Sequence, residues 1–220
     1  KIKMSLFHYL PLVSAILVFI LGFFVFLKNR WSKVNFLFLL FSLSITIWLF
    51  GTFMMFKTTN DRQAIFWDKF IYTGVVFIPI FILHFSKVFT GITKQKRLIF
   101  FGYIVAFIFL ALIPTDYLIK GVYRYKWGCH TVAQFAHHIF LLLFWLQVCL
   151  GMFNLYQYHK HLTSNFERNR TKYVFAAFFC LFFIGAFAYL PAYKIPIYPF
   201  PFLSGLIFSV VLAYAIVKYR

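Results

Sequence analysis

The sequence predicts an all-α, polytopic membrane protein: a bundle of seven transmembrane helices. Hydrophobic residues make up 63% of the 220-residue chain and aromatic residues 25%, well above the apolar share of a soluble globular domain. The apolar residues gather into seven runs, each near the roughly 20 helical residues that cross a hydrocarbon core at about 1.5 Å apiece. The cations sit in short patches between those runs. The formal charge of +18, from 22 Lys and Arg against four acids, therefore reads as topology and headgroup contact and argues against nucleic-acid binding.

The first run, residues 5–27, lacks a small-residue cleavage site with a soluble sequel, so it is expected to be a permanent span and not a removed signal. After the turn KNRWSK come the second run, 34–56, and the third, 64–90. The fourth, 98–114, is followed by the longest loop, TDYLIKGVYRYKWGCHTVA; the fifth is 134–158, the sixth 172–190 and the seventh 200–217. Seven spans put the termini on opposite sides. The loops after spans one, three and five, with the C-terminal tail, hold twelve Lys and Arg against eight on the other face. The positive-inside rule then places the N-terminus outside and the C-terminus in the cytoplasm.

Helix punctuation follows the same division. Pro11 falls in the first turn of span one, and Pro114 and Pro191 fall at the ends of spans four and six, where a missing N–H costs little. Gly91 follows span three as a C-cap glycine would. Pro79 lies mid-span, frees the carbonyl of Val75 and predicts a kink. The run IYPFP at 197–201 reads as a stiff outer turn. With short loops, a ligand must enter the bundle or its outer mouth.

Span three carries Asp68, Lys69, Tyr72, Pro79, His84 and Lys87, more polar residues than an anchor needs. An acid within a span is costly enough to require a partner or water. Two readings stand: a polar outer ligand pocket formed by Trp48, Asp68, Tyr72, His137 and Trp145, or a structural interhelical pair ringed by aromatic residues. Pro79 and His84 are the candidate relay, with His84 either a pH-sensitive hinge or a neutral histidine hydrogen-bonded across helices. Cys129, His130, His137 and His138 form the one cluster with metal-ligand chemistry, but they lack CxxC or HxxxH spacing, so no metal and no cofactor is expected. Cys149 and Cys180 lie in apolar runs and pack as small hydrophobes.

The first inner turn and second span, KNRWSKVNFLFLLFSLSITIWLFG, resemble the N-terminal seven-transmembrane region of bacterial sensor histidine kinases. Span three is similar at Trp67, Lys69, Tyr72, Gly74, Pro79, His84 and Phe85 and in its ending FTG at 89–91; so are Glu167 and Arg168 before RTKYVFAAFF, and the terminal LAYAIVKYR. The resemblance implies a sensory input domain over 1–220 in the bacterial cytoplasmic membrane. Its partners would be membrane lipids, a small or lipophilic ligand, and a C-terminal cytoplasmic kinase or other signalling domain, with a homodimer formed through the dimerising phosphotransfer helices usual in that family. The chain stops at Arg220, where the family's linker begins, so kinase chemistry is expected outside these residues, which hold no catalytic group.

The alternative is a small transporter or channel, weakened by the lack of an internal repeat. A retinal protein is disfavoured because span seven has no internal lysine, Lys218 standing at its end. An intramembrane enzyme is disfavoured because no paired acids, HExxH or Ser–His set converges at one depth. The charge count is checked by reporter fusions: those after Arg97 and Arg220 should score cytoplasmic and one after Lys126 external, and the reverse pattern would overturn the orientation.

Overall fold

The computed structural model describes residues 6–197 and 200–218. Ser5, at the hydropathy start of span one, the terminal cations Lys1, Lys3 and Arg220, and Tyr198 and Pro199 of the aromatic–proline turn lie outside the described residues.

A 3-10 turn, Leu6–Tyr9, leads into α1, Leu10–Lys28, with Pro11 in the first turn. Ser32 starts α2, Lys33–Phe56, by accepting a hydrogen bond from the Asn35 N–H. The Asn35 side chain donates to the carbonyls of Val25 and Asn29 at 3.0 and 3.2 Å, which fastens the α1–α2 turn. Asn60 caps α3, Asp61–Val75, and α4 is Ile78–Phe89. These two follow one path, broken at Val76 and Phe77 just ahead of Pro79. Pro79 has no N–H to offer the Val75 carbonyl, and the Phe77 N–H tightens onto the Gly74 carbonyl at 3.0 Å, so the ladder restarts after the break.

α5, Lys96–Leu112, precedes a two-stranded antiparallel hairpin, β1 (Ile119–Tyr125) and β2 (Gly128–Ala133). The stretch from 115 to 133, expected as a long loop, therefore satisfies much of its own backbone through a β ladder. α6 is Phe135–His161. α7, Asn165–Gly185, begins well before residue 172, because Ser164 caps it and a polar first turn invisible to hydropathy is already helical. It runs on as a 3-10 helix, Ala186–Tyr193; a second short one, Phe200–Phe202, opens α8, Leu203–Lys218.

Among the described residues six helical stretches are long and apolar enough to cross a membrane: Leu10–Lys28, Lys33–Phe56, Asp61–Phe89, Phe135–His161, Asn165–Tyr193 and Phe200–Lys218. α5 is apolar too but has 17 residues. α2 packs on α1, α3 and α4; α4 on α6, α6 on α7, α7 on α8 and α8 back on α1, so these helices close into a ring. Phenylalanines fill it. Phe41 of α2 meets Phe178 of α7 at 5.2 Å between ring centroids and Phe208 of α8 at 6.0 Å, and Phe85 of α4 meets Phe178 at 5.4 Å.

α5 lies outside the ring against α4, where Ile80 and Leu83 face Ile99 and Ala106. Two polar contacts hold it there. The His84 Nδ1 lies 2.9 Å from the Tyr103 hydroxyl, and buried Asn154 of α6 exchanges two 3.1 Å hydrogen bonds with Gln95 while donating to the Ser86 hydroxyl at 3.2 Å. Buried amides satisfied in this way tie helices together where lipid offers no partner.

At Gly74 α3 comes close against the backbone of α2: a Cβ there would stand 2.7 Å from the backbone oxygen of Ser44 and 2.8 Å from Ile47 Cβ. Backbone cannot yield as a side chain can. Gly74→Val is expected to cost about 1–3 kcal/mol of stability through overpacking, read as a lower unfolding midpoint in detergent; an unchanged midpoint would show that α2 and α3 are free to part.

Candidate functional site

The hairpin closes one end of the ring, and four of its residues fasten it there. Arg124 of β1 donates to the Thr59 carbonyl at 2.7 Å and to the Asp61 carboxylate, which also makes an ion pair with it. The Tyr125 hydroxyl donates to the Pro191 carbonyl at 2.6 Å. The Trp127 carbonyl lies 2.9 Å from His8 Nε2. The Thr131 hydroxyl donates to the Asp68 carboxylate. Period-2 geometry turns Cys129 and Thr131 of β2 inward, and Trp127 of the turn is buried with them. Burial pushes the Cys129 thiol and the Tyr125 hydroxyl above their ordinary pKa ranges, so neither is ionised near neutrality.

Beneath the hairpin is a cavity of about 40 Å³, room for a few water molecules. Asp68 and Tyr72 of α3 and Trp48 of α2 form one side, Trp127 and His130 of the hairpin the roof, and Tyr189 and Phe202 the opposite wall. Asp68 is only 2% exposed, so its carboxylate is held between the Thr131 hydroxyl and this space. Trp127 Nε1 is buried with no acceptor among the described residues. The site thus offers one carboxylate and one indole N–H to a small solute, within walls that are mostly aromatic. A second cavity of about 30 Å³ lies deeper, shares Trp48, Val75 and Tyr189 with the first, and is walled by Phe144, Trp145 and Phe182.

Of the five proposed pocket residues, Trp48, Asp68 and Tyr72 line the upper cavity. Trp145 lines only the deeper one. His137, fully buried, stands behind the upper cavity: its ring packs edge-on against Tyr72 and Tyr189, each at 5.9 Å, and its Nδ1 lies 3.0 Å from the Tyr193 hydroxyl. It thus backs two tyrosines of the wall. Pro79 sits at the α3–α4 break, and His84 faces α5 through Tyr103, away from either cavity.

Trp127, His130, Tyr189 and Phe202 were not anticipated. The alternation WGCHT was the readable signal for the hairpin, whereas nothing local marks Tyr189, which a 3-10 turn carries to the site. Among the described residues no group of three His, Cys, Asp or Glu could hold a metal ion. His138 is exposed and His130 turns to its own strand, with Nδ1 3.0 Å from the Thr131 carbonyl.

Long apolar helices closed over a buried carboxylate define a multi-pass helical membrane protein. Residues 10–220 match the family described as the N-terminal 7TM region of histidine kinase, and the chain belongs to that family. No curated protein matches it.

The Asp68–Thr131 bond can be isolated by a double-mutant cycle. Thr131→Val leaves a buried carboxylate short of a donor and is expected to cost about 1–3 kcal/mol, whereas the same change on an Asp68→Ala background should cost little. Additive losses in the unfolding midpoints would remove the bond from the site.

Proposed function

We propose that the chain is the membrane-embedded sensory input domain of a bacterial two-component sensor histidine kinase, in the cytoplasmic membrane. Seven spans are taken, with α5 counted as the fourth: its 17 residues reach the lower limit for crossing a bilayer, and Phe100, Phe101, Phe107 and Ile108 turn to the surroundings as lipid-facing residues do. The N-terminus and hairpin are then outside and the end of α8 in the cytoplasm, as the excess of cations on that face favours.

In this reading the upper cavity is the sensing site. Trp48, Asp68 and Tyr72 contact a small polar solute, or respond to a membrane state through the hairpin; His137 and Trp145 support the walls; the Pro79 break and His84 let α3 and α4 move separately. Anything larger than a few waters must lift Trp127. α8 relays the change to a cytoplasmic kinase or other signalling domain, within a homodimer. The observation that carries the reading is the course of α8. Its 3-10 lead-in puts Phe202 in the cavity wall, 5.8 Å from Trp48 and 5.6 Å from Phe56, and the helix runs from there to Lys218 at the far end.

A useful switch needs a few kcal/mol of bias between two arrangements. Asp68→Asn in the full-length protein is expected to change autophosphorylation by about 5-fold or more, the lower end of ordinary allosteric coupling. Unchanged output from a folded, membrane-inserted variant would remove Asp68 from signalling, and solute flux into liposomes carrying this chain alone would favour a transporter or channel.

A further inference from the structure

At the end of the ring opposite the hairpin lies a larger space of about 420 Å³, between the end of α1, the start of α2, α4, α7 and the end of α8. That volume is in the range of small-ligand sites. Its polar rim consists of Lys28, Ser32, Asn35 and Arg170 and contains no acid. Ser32 and Asn35 are occupied in the α1–α2 turn. The two cations are not: among the described residues neither Lys28 nor Arg170 has a carboxylate partner. Lys28 Nζ rests over the Phe24 ring at 5.2 Å and the Arg170 guanidinium over Phe89 at 5.9 Å. Arg170 Nε is buried with no acceptor among the described residues. A buried guanidinium nitrogen without an acceptor is costly, and two cations beside one space call for an anion.

The rest of the lining says which kind. Below the cations the walls are apolar, including Val34, Phe38, Val174, Leu212 and Ile216. A free phosphate would gain nothing from them; a glycerol and acyl chain would cover them. Basic pockets between transmembrane helices are suited to anionic headgroups for this reason.

We propose that this space is a binding site for one anionic glycerophospholipid, whose phosphate takes Lys28 and Arg170 and whose chain lies against the ends of α2, α7 and α8. The site requires nothing of the sensing reading. Since Leu212, Ala215 and Ile216 of α8 form part of it, occupancy sets where the end of α8 rests.

The test is titration of the delipidated chain in detergent with phosphatidylglycerol, phosphatidylcholine or inorganic phosphate, read by native mass spectrometry. Phosphatidylglycerol should bind well ahead of phosphatidylcholine. Lys28→Gln and Arg170→Gln should each weaken it about fivefold, and together about 25-fold, at the usual strength of a cation near a lipid surface. Ala215→Trp, which fills the apolar part and keeps both cations, should weaken it as well, while Lys94→Gln with Lys96→Gln should not. Equal binding of both lipids, or full affinity in the Lys28/Arg170 double variant, would overturn the site. Displacement of the lipid by phosphate alone would overturn the lipid assignment. If the double variant fails to fold, the single variants and Ala215→Trp decide.

Discussion

Everything in this bundle hangs on how closely other helices fit α2. In lipid an apolar side chain gains little by leaving its surroundings, so helices associate through dispersion and shape where soluble cores rely on water exclusion. Phe41 is fully buried and meets rings from α7 and α8 at once. On other faces of α2 the approach is made by small residues: Gly22 of α1 sits beside Ser42, and Gly205 of α8 beside Leu49, each with too little room for a Cβ. Large residues inward and glycines at the crossings let one helix hold three neighbours at short distance. With α2 fixed, the Pro79 break can occur in α3–α4 without opening the ring.

The polar end of the molecule follows from a different cost. A carboxylate at the depth of Asp68 needs a donor. The hairpin supplies Thr131, and a strand is the element that can do so: its alternation sends Cys129 and Thr131 to the same face while its ladder closes the backbone groups that a loose loop would leave open. Arg124, Tyr125 and the contact between His8 and the Trp127 carbonyl hold the roof to three different parts of the chain. A roof fastened at so many points moves as a unit or not at all.

Helix positions were legible because hydropathy reports depth, and depth is what a bilayer selects. The angle of a residue about its helix axis is not, since the apolar faces of α2 and α6 run nearly all the way round. For that reason Trp48, Asp68 and Tyr72 were placed at one depth and meet in one cavity, whereas Trp145 points a layer lower and His137 stands behind the wall. His84 was assigned to a hinge or an interhelical bond, and its partner, Tyr103, came from a helix with no polar pattern to mark it. The hairpin was missed for another reason: its lysines and arginine resembled a solvated loop, and only the alternation around a two-residue connection, Lys126–Trp127, carried the strand signal. Asn154 and Gln95 pair across 59 positions in sequence, a contact that no local pattern reports.

α8 and its 3-10 lead-in, like α2, reach both ends of the ring: Phe202 forms part of the wall of the cavity under the hairpin, and Leu212 and Ile216 part of the wall of the basic space at the opposite end. Between these points Phe208 sits wedged against Phe38, Phe41 and Phe178 at 5.3–6.2 Å. Rings packed at that distance cannot slide continuously, because any intermediate position brings carbon atoms into overlap or opens a void. A displacement of α8 would therefore have to reseat Phe208, the discrete kind of step that a switch in the proposed reading needs. In the proposed sensory reading the cavity under the hairpin would bias that choice through Phe202 and the basic space at the opposite end through Ile216, with the same aromatic wedge between them.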